Sequence, residues 1–226
     1  MIHFWIILEE LQHYYVGEKM SNVKIGADAW DERFSGDGWA YGREPNVWLA
    51  ERISMLSPGK ALFPADGEGR NAVWAATKGW ESYVFDLSSV GKKKCAILAS
   101  EHDVTVHYEI DDLETRQFNE AEFDLVACSW FHIPSTTRIE HYPRMLKSIK
   151  SGGHFVTEGY HKTQMNMTSG GPKNLDLLWD LDELIDELGE GFEIVHAAVE
   201  ETILEESELH SGLAQVVRLH LMKVID

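Results

Sequence analysis

The chain has 226 residues, 44% of them apolar and 11% aromatic, with 38 acidic against 20 basic side chains and a formal net charge of −18. That length buries one sizeable α/β domain and is short for two. The charge argues against non-specific nucleic-acid binding, which needs clustered Lys and Arg to neutralise phosphates, and makes a small molecule the expected partner.

Residues 1–29 read as an N-terminal extension. His3 to Leu8 is apolar but lacks a basic flank and meets Glu9-Glu10 at once, so it is not a secretory signal. Met20-Ser21-Asn22 resembles a more natural start, leaving residues 1–19 as either an upstream extension or an extra helix. A single domain is expected over 30–226, with a lid and helix at 30–57 and a Rossmann-like core at 58–226. Trp30 to Asn46 is aromatic and glycine-rich, and a helix is predicted from Val47 to Leu56, with Leu49, Ile53 and Leu56 in one apolar row.

Strand and helix then alternate. Ala61-Leu62-Phe63 leads through Pro64-Ala65 into Asp66-Gly67-Glu68-Gly69-Arg70-Asn71, then into a helix carrying Ala72, Val73, Ala75 and Ala76 that Gly79 stops. A strand, a tight turn and a helix N-terminus in that order make the usual cradle for a nucleotide-like cofactor in an open α/β sheet. Gly67-x-Gly69-x-x-Ala72 fits the dinucleotide fingerprint, which is also met by ordinary turns. A second strand, Trp80 to Phe85, ends on Asp86, placed to accept hydrogen bonds from both hydroxyls of a ribose or to cap the helix beginning near Ser88.

A third strand is expected over 104–110, leading into Asp111-Asp112-Leu113, and a fourth, almost wholly apolar, over 123–130. A helix at 136–149, the turn Ser151-Gly152-Gly153 and a fifth strand at 154–158 follow. The long loop 159–174 reads as a functional lid. After a helix near 180–188, two alternating stretches, 192–204 and 214–224, imply an antiparallel pair. Cys95 and Cys128 lie in apolar segments, cannot build a disulfide framework and lack metal-ligand spacing, which fits a reducing, cytoplasmic setting. No metal is expected, no run approaches transmembrane length, and monomer and homodimer stay equally open.

This order of elements resembles the class I S-adenosylmethionine-dependent methyltransferases, and among them the small tellurite-resistance-type and thiopurine-type enzymes. The resemblance runs from Trp30 to Val224. It rests on Trp30-Asp31-Glu32-Arg33-Phe34, Tyr41-Gly42-Arg43-Glu44-Pro45-Asn46, Asp66 to Asn71, Asp86-Leu87-Ser88, Asp112-Leu113, Phe123-Asp124-Leu125-Val126, Leu146 to Gly153 and Gly170-Gly171-Pro172. It implies an α/β fold with a doubly wound, seven-stranded, mostly parallel sheet and a terminal antiparallel strand. Most such proteins carry an acid near the end of the first strand and a glycine before the turn. Phe63 and Ala65 stand there here, and Asp66 supplies an acid nearby.

The resemblance also implies S-adenosyl-L-methionine as cofactor. Asp66, Gly67, Glu68, Gly69 and Asn71 would face its methionine end, Asp86 and Leu87 its ribose, and Asp112 (or Asp111) with Leu113 its adenine. Cys128 and Ser129 would border the site from the fourth strand, and Tyr41 and Arg43 from the lid. The sulfonium brings its own electrophile, so no catalytic nucleophile is required. For an acceptor that must lose a proton, His132 is the first candidate base, followed by His210, Tyr160 and His161. The leading reading is a methyltransferase acting on sulfur, oxygen or a chalcogen of a small molecule. The alternatives are an NAD(P)-dependent oxidoreductase and a catalytically silent cofactor-binding protein.

Overall fold

The computed structural model describes residues 26–225. The expected extension up to residue 25, with the apolar stretch His3 to Leu8, lies outside the described residues. Two short helices come first, α1 (Ala27–Phe34) and α2 (Val47–Ile53). The alternating part follows as β1 (Lys60–Pro64), α3 (Arg70–Thr77), β2 (Glu81–Asp86), α4 (Ser89–Glu101), β3 (Val106–Ile110), β4 (Phe123–Ser129), α5 (Ser135–Leu146) and β5 (Ile149–Tyr160). Two 3-10 turns (Lys162–Asn166 and Leu175–Leu177), α6 (Leu181–Leu188), β6 (Phe192–Ser207) and β7 (His210–Lys223) complete it.

The strands form one seven-stranded sheet in the order β3-β2-β1-β4-β5-β7-β6. β1 to β5 are parallel, and β7 runs antiparallel to both of its neighbours, β5 and β6. The antiparallel strand therefore sits one place in from the edge, with β6 outside it. Chain order reverses between β1 and β4, the switch point at whose carboxyl side such sheets bind ligands.

Strand alternation explains why β1 reads as an unbroken apolar run. Ala61 and Phe63 pack with Leu49, Ile53, Ala72, Val73, Cys95 and Leu98 of α2, α3 and α4. Leu62, between them, faces the opposite layer with Tyr142, Met145 and Leu146 of α5 and Leu184 and Leu188 of α6. Both layers exclude water, so Ala61, Leu62 and Phe63 must all be apolar. Cys95 and Cys128 are both buried free thiols.

Three boundaries differ from the sequence-based expectation. Ser151-Gly152-Gly153 is not a turn ahead of the fifth strand but an irregularity inside it, where the register jumps from Phe123↔Ile149 to Leu125↔His154. A Cβ at Gly153 would lie 3.0 Å from the Asp124 carbonyl oxygen, so the kink needs a glycine there. The 159–174 loop is pinned to β7: Ser169 Oγ donates to the Leu213 carbonyl (2.6 Å), and the Gln215 N–H donates to Gln164 Oε1 (2.9 Å). The last two strands are longer than expected and close through Glu208-Leu209, which carries Glu206 and His210 far past the sheet's carboxyl edge.

Ala65 bridges β1 to the turn with φ +52°. A Cβ in this left-handed region is strained by about 1–2 kcal/mol. Ala65→Gly should therefore stabilise the fold by about 0.5–1 kcal/mol after the added freedom of the unfolded chain is counted, raising Tm by a few degrees. Thermal denaturation of the two proteins checks it; a lower Tm for the glycine variant contradicts the strain.

Candidate active site

The turn after β1 is held from every side. The Gly69 N–H donates to the Asp66 carbonyl (2.9 Å), while the Asp66 carboxylate accepts from Asn71 Nδ2 (2.6 Å) and the Ala72 N–H (2.9 Å). Asp66 thereby satisfies donors in the first turn of α3. Burial pushes its carboxyl up to about 6, against the opposing effect of those two donors. Gly67 and Gly69 both have positive φ, +55° and +86°. Their missing side chains serve the chain's own packing: a Cβ at Gly67 would meet the Phe34 ring at 2.8 Å, and one at Gly69 the Cys95 sulfur at 2.2 Å.

Asp86 ends β2 beneath this turn. One carboxylate oxygen accepts from the Gly67 N–H (3.0 Å) and the other from the Ser88 N–H (2.8 Å). Burial raises its pKa, with these donors pulling the other way. Tyr108 of β3 supports the same turn through its hydroxyl, which donates to the Gly67 carbonyl (2.8 Å). The Asp111 N–H donates to the Asp86 carbonyl (3.1 Å), bringing Asp111 and Asp112 beside β2. Asp111 pairs with Arg116 at 2.8 Å, and Asp112 Oδ1 accepts from the Glu114 N–H at 3.1 Å. Leu113 is buried and Leu87 partly so.

The segment between α1 and α2 straps this turn down. Asp31 sits at the N-terminus of α4, accepting from the Ser88 and Ser89 hydroxyls and the Val90 N–H. Glu68 receives the Ala40 N–H (2.8 Å) and pairs with Lys94 (2.8 Å), which also binds the carbonyls of Gly36 and Gly38. The Tyr41 carbonyl accepts from Arg70, and its hydroxyl from Arg33. Arg43 is occupied on the surface by Glu101.

Beyond β4 the chain makes a left-handed step at Trp130, φ +59°. The Cys128 thiol turns into the core against Thr157, 3.3 Å away, and burial raises it to about 12. Ser129 instead meets Asn71 Nδ2 at 3.3 Å. Trp130 joins Tyr41 and Tyr160 around His210, with ring centroids at 4.7, 4.8 and 5.6 Å. Behind these rings lies Glu206, which binds Arg70 (2.7 Å), Trp130 Nε1 (2.9 Å), Asn46 Nδ2 (2.7 Å) and His210 Nδ1 (3.3 Å). Burial would raise the Glu206 carboxyl, but the contacts with His210 and Arg70 hold it at about 2. Asn46 Nδ2 also donates to Glu158 (2.5 Å), which pairs with Arg218 at 2.7 Å. Glu206 carries no sequence signal among its many acidic neighbours; Arg70 and Asn46 stood only inside longer motifs.

The proposed bases separate sharply. His132 Nδ1 lies 2.7 Å from the Leu177 carbonyl, and Nε2 accepts the Tyr160 N–H at 3.1 Å. Both nitrogens are committed to the backbone and burial drives its pKa down to about 3, so this arrangement makes His132 a neutral strut with no lone pair for a substrate proton. The Tyr160 hydroxyl donates to the Ser169 carbonyl (3.1 Å), and burial raises its pKa far above the ordinary tyrosine range. His161 caps the first 3-10 turn through Thr163. His210 keeps Nε2 outside any hydrogen bond among the described residues. No cluster of His, Cys, Asp and Glu suited to a metal occurs among the described residues, and none of their helices is long and apolar enough to cross a membrane.

A family profile described as "Methyltransferase domain" matches residues 64–153, which span β1's last residue, the glycine turn, Asp86, Asp112 and β4. Residues 64–153 thus match a methyltransferase domain, and the sheet has the class I methyltransferase fold. Solved structures agree on the methyltransferase fold. The enzyme that converts a disulfide bond into a thioacetal group during echinomycin biosynthesis aligns over 88% of this chain and 91% of its own, with 15% identity and a TM-score of 0.71. TehB from Haemophilus influenzae aligns over 87% and 66%, with 12% identity and a TM-score of 0.66. An S-adenosylmethionine-dependent methyltransferase from Clostridium acetobutylicum aligns over 99% and 98%, with 11% identity and a TM-score of 0.60. No curated protein matches the sequence.

The His132 pKa sets a pH dependence for the methyltransferase domain. An imidazole titrates at about 6.5 when unfolded, and His132 near 3 when folded, so the unfolded chain binds this proton more readily. Its contribution is intact above pH 6.5 and is lost as pH falls toward 3. His132→Asn should lower stability at pH 7.5 by about 2–4 kcal/mol, because the Tyr160 N–H and Leu177 carbonyl lose their partner. Between pH 6 and 4 its stability should fall less steeply than the wild type's, by roughly 1.4 kcal/mol per pH unit. Urea unfolding across this range measures both; equal slopes would show that His132 is not held neutral.

Proposed function

We propose that this domain binds S-adenosyl-L-methionine across the carboxyl ends of β1 to β4 and methylates oxygen, sulfur or a chalcogen of a small molecule. The observation that carries the reading is Asp86. Its oxygens accept the Gly67 and Ser88 N–H groups, one each, with the Leu87 N–H a further donor beside them, and the four acceptor sites of a carboxylate still leave room for a ribose hydroxyl. The helix that follows is capped by Ser88, whose hydroxyl accepts the Gly91 N–H, and not by Asp86.

The other assignments follow from position. Asp66, Gly67, Glu68, Gly69 and Asn71 would border the methionine end; Leu87, Asp111, Asp112 and Leu113 the adenosine end. Ser129, the backbone at Cys128 and Tyr41 lie where the two reactants would meet. When bound, S-adenosylmethionine supplies the electrophilic methyl group, whose carbon passes to the acceptor while the sulfur keeps the bonding pair. The chain's part is to hold both reactants in line and dry, which can remove about 7–11 kcal/mol of barrier in favourable cases. Two buried thiols fit a cytoplasmic setting.

S-adenosylhomocysteine at about 100 times its Kd should stabilise the protein by roughly 2.7 kcal/mol, and NADP should not. Asp86→Asn keeps the shape of the carboxylate without its charge and should weaken S-adenosylhomocysteine binding by about tenfold or more in calorimetry, the loss of one charged hydrogen-bond pair. Stabilisation by NADP alone would overturn the methyl-transfer reading. Unchanged affinity in Asp86→Asn would overturn the ribose assignment.

A further inference from the structure

We propose that His210 takes the proton from the methyl acceptor and that Glu206 is its positioning carboxylate, so that the acceptor is a neutral hydroxyl or thiol. This rests on the methyl-transfer reading and names the chemistry of its second substrate. Glu206 Oε2 lies 3.3 Å from His210 Nδ1. An ionised carboxylate only accepts, so the proton of a neutral imidazole resides on Nδ1 and the lone pair on Nε2. Histidine in water prefers no such arrangement strongly; the carboxylate selects it.

The surroundings fit that task. The charged and titratable groups facing His210 are Glu206 of the same hairpin, Arg70 of α3, Arg33 of α1, Tyr41 of the strap, Tyr160 of β5 and His132 after β4. Burial lowers the His210 pKa and Glu206 raises it, which keeps the ring neutral near pH 7 while giving the imidazolium a counter-charge once it forms. Three aromatic rings surround the imidazole, and a side chain at Gly170 would come within 3.2 Å of its Cδ2, next to Nε2. The left-handed glycine, φ +115°, thus lets the backbone pack closely against that edge of the buried ring.

Of the neighbouring candidates, both His132 nitrogens bind the backbone and the Tyr160 hydroxyl is itself a donor. In the proposed step the acceptor's O–H or S–H proton passes to Nε2 as its lone pair takes up the methyl carbon. His210 then carries one positive charge against Glu206 and returns the proton to water. An acceptor that already lacks its proton would have no use for such a dyad.

Long-range 15N–1H spectra of protein labelled in histidine report the tautomer directly, with His210→Asn identifying the signal. The wild type should show His210 protonated on Nδ1 at pH 7.5. Glu206→Gln should move it to a population in which the Nε2–H form is at least half, and Glu206→Asp should restore the Nδ1–H form. Should Glu206→Gln fail to fold, the wild-type and Glu206→Asp spectra decide. A wild-type His210 carrying its proton on Nε2, or a tautomer unmoved in Glu206→Gln, overturns the proposal. S-adenosylhomocysteine calorimetry on the wild type separates the two readings, with binding expected. Absence of binding to the wild type would sink the methyl-transfer reading, whatever the tautomer.

Discussion

One buried carboxylate, Glu206, decides how the outer parts of this fold sit on the sheet. A carboxylate removed from water is tolerated only when its lone pairs are met by donors. Here the donors come from separate places: Arg70 from the start of α3, Trp130 from the end of β4, Asn46 from the cap of α2 and His210 from the same hairpin. Moving any one of these elements leaves charge unpaired in an interior site, where breaking such a pair destabilises by about 3–5 kcal/mol. Asn46 extends the constraint. Its backbone N–H reaches Asn71, its Oδ1 caps Leu49, and its Nδ2 serves Glu206 and Glu158 together. Cofactor turn, helix α2, the middle of the sheet and the hairpin tip therefore share one hydrogen-bonded frame.

That frame explains which parts of the molecule were readable in the amino-acid order. β1, its turn and α3 are contiguous, and each residue there answers a local demand: two-sided burial for Ala61, Leu62 and Phe63, positive φ for Gly67 and Gly69. Asp86 follows at a fixed distance along the same unit, so its place beneath the turn was legible. Glu206 is separated from Arg70 by 136 positions and from Asn46 by 160. No local pattern marks one glutamate among the acids of β6 as the buried one. His132 misled for the converse reason. Position after a central strand suggests chemistry, but only the folded chain shows the Leu177 carbonyl and the Tyr160 N–H closing on both ring nitrogens.

Ala65 and Trp130 belong together in this account. They follow β1 and β4, adjacent strands on either side of the switch point, and both adopt left-handed φ without being glycine. Strain of this kind persists only where the surroundings over-determine the backbone. At Ala65 the N–H is fixed on the Phe85 carbonyl (2.8 Å), and at Trp130 on the Glu158 carbonyl (2.8 Å), so each strand is stapled to its outer neighbour at the point where it leaves the sheet. The result at Trp130 is specific: the step turns the indole toward Glu206 and places its ring against Tyr160 and His210.

The two ends of the site thus have different physical origins. The proposed cofactor end is built from backbone geometry at strand termini, which belongs to the fold itself. The proposed acceptor end is built from side chains of the strap and the last hairpin, set against Trp130 and Tyr160 at the ends of β4 and β5. Proteins sharing this sheet at 15% identity or less can keep the first and replace the second. In this chain that end is the box of Tyr41, Trp130, Tyr160 and His210 set on Glu206. The length of the β6–β7 hairpin is the feature that makes it possible: were it to close several residues earlier, Glu206 and His210 would not reach Arg70 at all.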